Sequence, residues 1–160
     1  MSGLWGTGSG NVIMTILISM IPVVELRGAI PIAAANGMEM FPAFICAVIG
    51  NMIPIPFIIL FIRKIFEWMK SRSKRLNDLA VKFEQKAEKN KEKVSRYEWL
   101  GLAIFVGIPL PGTGAWTGAL VAAMLDMRLK RAFPAIFLGV VIAGIIVSAM
   151  TFGVISIVKS

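Results

Sequence analysis

The alternation of apolar runs with broken or charged stretches divides the chain into five blocks. Asn11–Val24 is apolar, Glu25-Leu26-Arg27-Gly28-Ala29-Ile30-Pro31 interrupts it, and Ile32–Gly37 closes the unit. Phe41–Ile62 is an apolar run of about the roughly 20 residues that a spanning helix needs, with Pro42 near its start and Pro54 and Pro56 further on. Arg63–Glu98 is charged. Leu100–Leu125 is apolar again but broken at Pro109-Leu110-Pro111-Gly112-Thr113-Gly114. Phe133–Val158 is a second spanning candidate, with Pro134 near its start.

The first and fourth blocks do not read as ordinary spans. Each splits into two apolar pieces of about a dozen residues, the length of a re-entrant half-membrane helix. Pro109 and Pro111 remove donors and restrict the residues before them, which argues against a continuous helix there. The halves also match in order: Ile21-Pro22 with Ile108-Pro109, Met38-Glu39-Met40 with Leu125-Asp126-Met127, and Phe41-Pro42-Ala43 with Phe133-Pro134-Ala135. The expected fold is thus an all-α integral membrane protein, a single membrane domain over 1–160. It contains repeat 1 over 11–62 (re-entrant 11–37, spanning 41–62) and repeat 2 over 99–158 (re-entrant 100–125, spanning 133–158). Each repeat crosses the bilayer an odd number of times, so two in one chain are inverted relative to each other.

Composition and charge bear this out at the level of class. Of 160 residues 57% are hydrophobic and 16% charged, with mean hydropathy +0.79, whereas soluble domains carry about a quarter charged residues. The net charge of +8 sits mostly in 63–98, where the apolar positions recur at three- and four-residue steps. That segment is expected to be a solvated amphipathic helical connector at the cytoplasmic interface; the alternative is recruitment of anionic lipid head groups by Lys70, Arg72, Lys74 and Arg75. No binding motif accompanies the charge, so no nucleic-acid partner is expected. If 63–98 is cytoplasmic, a re-entrant second hairpin returns Arg128–Arg131 to the same side, as the positive-inside rule requires. Both termini then lie outside, in a multi-pass protein of the cell (inner) membrane.

The sequence has no His and one Cys, Cys46. Ser–His triads, most zinc sites and an internal disulfide are thereby excluded, and neither a metal nor a cofactor is expected. A membrane-embedded enzyme, such as a lipid phosphatase, would have only Glu25, Thr113 or Thr117 for its nucleophile and base, so no enzyme is expected. Glu25 and Arg27 stand at the first break, where an ionisable group is costly unless paired or hydrated. They form either an ion pair locking the break or a substrate site in which Arg27 holds an anion and Glu25 exchanges a proton. The helix pieces starting near Leu26 and Gly114 would bring N-terminal N–H groups together. Gly28, Gly112 and Gly114 allow close backbone approach or simply make turns. Thr113 and Thr117 either donate hydroxyl bonds or cap a helix, and Trp116 packs or walls the site. Pro109 and Pro111 shape the second break. Glu39 and Asp126 read as loop residues, and Asn51 as a span residue bonding to a hairpin tip or to nearby backbone.

Val24-Glu25-Leu26-Arg27-Gly28-Ala29-Ile30-Pro31 and Pro109-Leu110-Pro111-Gly112-Thr113-Gly114-Ala115-Trp116-Thr117-Gly118 resemble the small multi-drug export protein family over essentially the whole chain. That family is similar in turn to the DedA/VTT membrane proteins, which share inverted re-entrant hairpins. The resemblance implies a proton- or ion-coupled transporter. In DedA relatives it further implies translocation of a phosphorylated polyprenyl lipid carrier across the bacterial membrane. Glu25 matches the acidic residue of the first DedA-type hairpin; the second usually contributes an Arg, and Pro109–Gly118 has none. The expected activity is movement of an amphipathic anion. The alternatives are export of cationic or amphipathic drugs, and a non-transporting scaffold or lipid-binding protein. A homodimer would shield so many half-helices.

Overall fold

A computed structural model describes residues 7–72, 78, 91–110 and 112–159. Among them every regular element is a helix. The first, α1 (Gly8–Ser19), is capped by Thr7, whose hydroxyl oxygen accepts the Gly10 N–H at 3.3 Å. A turn through Pro22 leads to α2 (Glu25–Ala35). The interruption expected across Glu25–Pro31 thus lies earlier, at Met20–Val24, and Pro31 stands inside α2. The physical reason is that a helical proline deprives only the carbonyl four residues back, here Arg27, of its donor, and α2 continues past that single loss. Gly37, at φ 81°, turns the chain into α3 (Met40–Met52).

Ile53 and Pro54 separate α3 from α4 (Ile55–Arg72), so α4 passes well beyond Ile62 into the charged block. The rest of the expected amphipathic connector, 73–77 and 79–90, lies outside the described residues, Lys74 and Arg75 included. The chain resumes in α5 (Lys91–Gly107), breaks again, and continues as α6 (Ala115–Met124) and α7 (Leu129–Lys159). Two apolar stretches, Met40–Ile65 and Leu129–Val158, are long enough to cross a bilayer, at 26 and 30 residues. In each half a helix and a break precede a shorter helix and then an apolar stretch of spanning length, broken at Ile53–Pro54 in the first.

The short helices cross-connect the halves. α1 lies on α3 and α5 on α7, while α2 packs on α1, α3 and α7, and α6 packs on α4, α5 and α7. Leu26, Ala29 and Ile30 of α2 and Ala115, Ala119 and Ala122 of α6 recur at helical spacing. They share one core with Ile55 and Ile59 of α4 and with Ala132, Ala135, Ile136 and Val140 of α7. The abundance of alanine is what lets helices approach closely where lipid supplies no hydrophobic drive. Large apolar side chains turn outward instead, among them Phe57, 71% exposed, and Ile145 and Met150. In water so much exposed hydrocarbon would aggregate; in a bilayer it is solvated.

Helix α1 meets α3 at Gly50, where a Cβ would stand 2.4 Å from the Ile16 carbonyl oxygen and 2.0 Å from the Ser19 hydroxyl. Backbone cannot yield as a flexible side chain can. Gly50→Ala is expected to destabilise the protein by about 3 kcal/mol, at the upper end for overpacking, read as a lower unfolding temperature in detergent.

Candidate functional site at the two helix breaks

The two breaks meet. Glu25 opens α2 with φ 49°, a left-handed conformation that is uncommon outside glycine and costs about 1–3 kcal/mol. That twist accompanies a carboxylate turned toward the start of α6, where its Oε1 accepts the Trp116 N–H at 3.1 Å. Glu25 is only 4% exposed. The N-cap position of α6 is Gly114, which offers no side chain to the helix end. The Glu25 carboxylate, from the start of α2, supplies the cap instead, satisfying an orphan N–H donor and complementing the positive end of the helix dipole. A Cβ on Gly114 would stand 1.6 Å from Glu25 Oε2, so a larger residue there displaces the carboxylate from the helix end.

Arg27, two residues on from Glu25, reaches into the second break. Its guanidinium donates to the carbonyl of Leu110, to the carbonyl of Ile108 at 3.1 Å and to the hydroxyl oxygen of Thr113 at 3.2 Å. The planar fork of arginine suits three acceptors spread over one loop, which a lysine ammonium would not span. The Thr113 hydroxyl has a single proton for either Ile108 O at 2.7 Å or Leu110 O at 2.9 Å, so the loop is pinned from within as well. Trp116 answers in the other direction, its indole Nε1–H donating to the Met20 carbonyl at 3.2 Å.

Glu25, Arg27, Thr113, Gly114 and Trp116 thus come together. Glu25 and Arg27 each engage the opposite break, and the ion pair found among the described residues lies elsewhere, between Arg63 on α4 and Asp126 at 2.7 Å. Asp126, which reads from sequence as a loop residue, joins the first long helix to the turn after α6, itself left-handed at φ 53°. Gly112 makes the turn of the second break at φ 84°. Gly28 sits within α2 against its own Val24, and Pro109 and Thr117 are half-buried without a part in these bonds. Pro111 lies outside the described residues. The carbonyls of Met20, Ile108 and Leu110 carry no signal in sequence, since every residue has one. Among the described residues no group of His, Cys, Asp and Glu is placed to hold a metal.

Comparison with known proteins adds one finding. The model of a family described as "Putative small multi-drug export protein" matches residues 25–146, which is more than half of the chain and takes in the second break. The chain belongs to that family. Searches of curated proteins and of solved structures each returned no match. Membership in the small multi-drug export family and the two long apolar helices make this a membrane protein, and the match begins at Glu25 itself.

Proposed function

We propose that this small multi-drug export protein is a transporter that moves an amphipathic anion and couples its movement to protonation of Glu25. The observation that carries the reading is the Glu25 carboxylate seated on the N-terminus of α6. The chain's own anion fills the kind of place that a substrate oxyanion would take. Protonation removes the charge that holds Glu25 there. An oxyanion can then occupy the helix end with Arg27 as its countercharge, and Glu25 expels it on losing its proton. Proton and anion load together because they exchange for one carboxylate.

The substrate class follows from what surrounds the breaks. Val23 is 91% exposed and Leu110 56%, with Ile21 and Ile108 beside them, so a hydrocarbon chain finds apolar surface next to the polar seat. A phosphorylated polyprenyl lipid carrier combines both parts. Export of cationic drugs, which the family description favours, fits less well, because the carboxylate a cation would seek is already turned toward N–H donors and lies near Arg27. A non-transporting scaffold would use the same bonds only as a lock between hairpins.

On this reading α1–α2 and α5–α6 are re-entrant hairpins in two inverted repeats. Helices α2 and α6, of 11 and 10 residues, reach about 15–17 Å at 1.5 Å per residue, half of a hydrocarbon core of roughly 30 Å. Left-handed residues flank the second helix of both hairpins, Glu25 and Gly37 in one, Gly112 and Asp126 in the other. Gly50 packs on Ile16 and Ser19 as Gly139 packs on Ala103 and Val106, and these stand as far past their counterparts as Pro109 stands past Pro22. The connector 63–98 is cytoplasmic and the termini outside, and a homodimer would cover the half-helices.

The test is reconstitution into liposomes with a labelled polyprenyl phosphate and, in parallel, a lipophilic cation. The expected result is movement of the polyprenyl phosphate driven by a pH gradient, with Glu25→Gln abolishing the dependence on pH. Movement of neither compound would sink the transporter reading; movement of the cation alone would replace the anion with a drug substrate.

A further inference from the structure

The Glu25 seat leaves one buried polar group without a use. Asn51 lies in α3, 1% exposed, and neither its Oδ1 nor its Nδ2 has a hydrogen-bond partner. Ser148 is the other described residue with such an atom, but a serine hydroxyl in mid-helix can turn onto a carbonyl of its own preceding turn. Asn51 occupies the buried face between Ala47 and Ile55, one turn to either side, and so points into the core shared by α2, α6 and α7. An unpaired carboxamide at such a place in a spanning stretch calls for a partner.

The backbone beside it is also short of donors. Pro54 has no N–H for the Gly50 carbonyl and Pro56 has none for the Met52 carbonyl, so two of the last carbonyls of α3 lose their usual helical partner. The helix stops there and restarts at Ile55. The carbonyl end of α3 is the negative end of its dipole. The wholly buried Ser19 hydroxyl lies against Gly50 from the neighbouring helix. Two carbonyls without helical donors and an unpaired carboxamide thus belong to the consecutive residues 50–52 at one break, and none of them is a carboxylate.

We propose that the α3–α4 break binds a monovalent alkali cation, through Asn51 Oδ1 and the Gly50 and Met52 carbonyl oxygens. Unwound backbone carbonyls and the C-terminal ends of broken helices are suited to such ions. Neutral oxygens without a carboxylate suit a singly charged ion rather than calcium or magnesium, whose protein sites draw on carboxylates. The site uses no atom of Glu25, so the proposal stands or falls apart from the proposed transport.

Thermal unfolding of the purified full-length protein in detergent tests it, with choline chloride replaced stepwise by NaCl or KCl at constant ionic strength. A ligand that binds only the folded state raises its unfolding temperature in a saturable way. The expected result is such a rise with at least one of the two ions, and an apparent affinity about tenfold weaker or worse in Asn51→Ala. Pro54→Ala with Pro56→Ala restores both helical donors and is expected to weaken the response as well, which keeps the test open if Asn51→Ala does not fold. A wild-type protein that responds to neither ion beyond choline, or a response unchanged in the variants, overturns the proposal and assigns Asn51 to a buried water instead.

Discussion

Gly114→Ala is expected to be among the most damaging single substitutions in this protein, lowering its stability by about 3–5 kcal/mol. The three atoms that a new Cβ would meet first all belong to the Glu25 carboxyl, the nearest at 1.6 Å. Rotation of a distant methyl cannot relieve that contact; the carboxylate has to leave the helix end. It would then lose its hydrogen bond to Trp116 N–H and remain a buried charge without a partner, a situation that costs more than the bond itself is worth. The check is a double-mutant cycle read by unfolding temperature in detergent. In a Glu25→Ala background the added methyl has no carboxylate to strike, so Gly114→Ala should cost much less there than in the wild type. Simple additivity would show that the glycine answers to something other than Glu25.

Arg27→Gln comes next, at about 2–3 kcal/mol. The substitution keeps an amide donor, but its amide ends two bonds short of the arginine Nη atoms and lacks the fork that reaches Ile108, Leu110 and Thr113 together. Thr113 can still hold part of the loop through its own hydroxyl, which is why the loss stays below that of a fully stranded charge. Arg27→Lys is expected to fall close to Arg27→Gln rather than to the wild type, because charge without the planar donor set does not span the loop. In the liposome assay both should also abolish anion movement. A fully stable Arg27→Gln would remove the cross-break bonds from the account of the fold, and unchanged anion flux would remove Arg27 from the site.

Features set by local covalent chemistry could be read without coordinates, and features set by partners in space could not. Pro109 and the glycines after it mark the second break because a missing N–H acts where it stands. The first break was harder. Pro31 sounds the same signal as Pro22, yet α2 runs through it, because its core contacts at Leu26, Ala29 and Ile30 outweigh one lost bond. The charged block also misleads, since α4 keeps its helix to Arg72 after the apolar pattern has ended at Ile62. At the site, Glu25 and Arg27 stand out from sequence because ionisable groups at a break are costly. What they bind mostly does not, because, the Thr113 hydroxyl apart, their partners are backbone N–H and C=O groups of Ile108, Leu110 and Trp116. Only the fold says which of a chain's interchangeable peptide groups will be near. Asp126 illustrates the same limit: its partner Arg63 lies at the end of the other long apolar stretch, and no spacing links them.

The cap that Glu25 places on α6 also orders events in time. It joins residues 91 positions apart, so the first hairpin leaves the ribosome well before its partner exists. Until residues 108–116 arrive, Glu25 has no N–H groups to receive its charge and Met20 no indole to receive. On the proposed re-entrant reading, the first helix pair keeps its tip hydrated during biogenesis and settles into the bilayer only when the second is delivered. Helix α6, for its part, arrives without an N-cap of its own and completes its first turn on a group already waiting there. Neither half is a finished object, and insertion of the second is the step that closes the first.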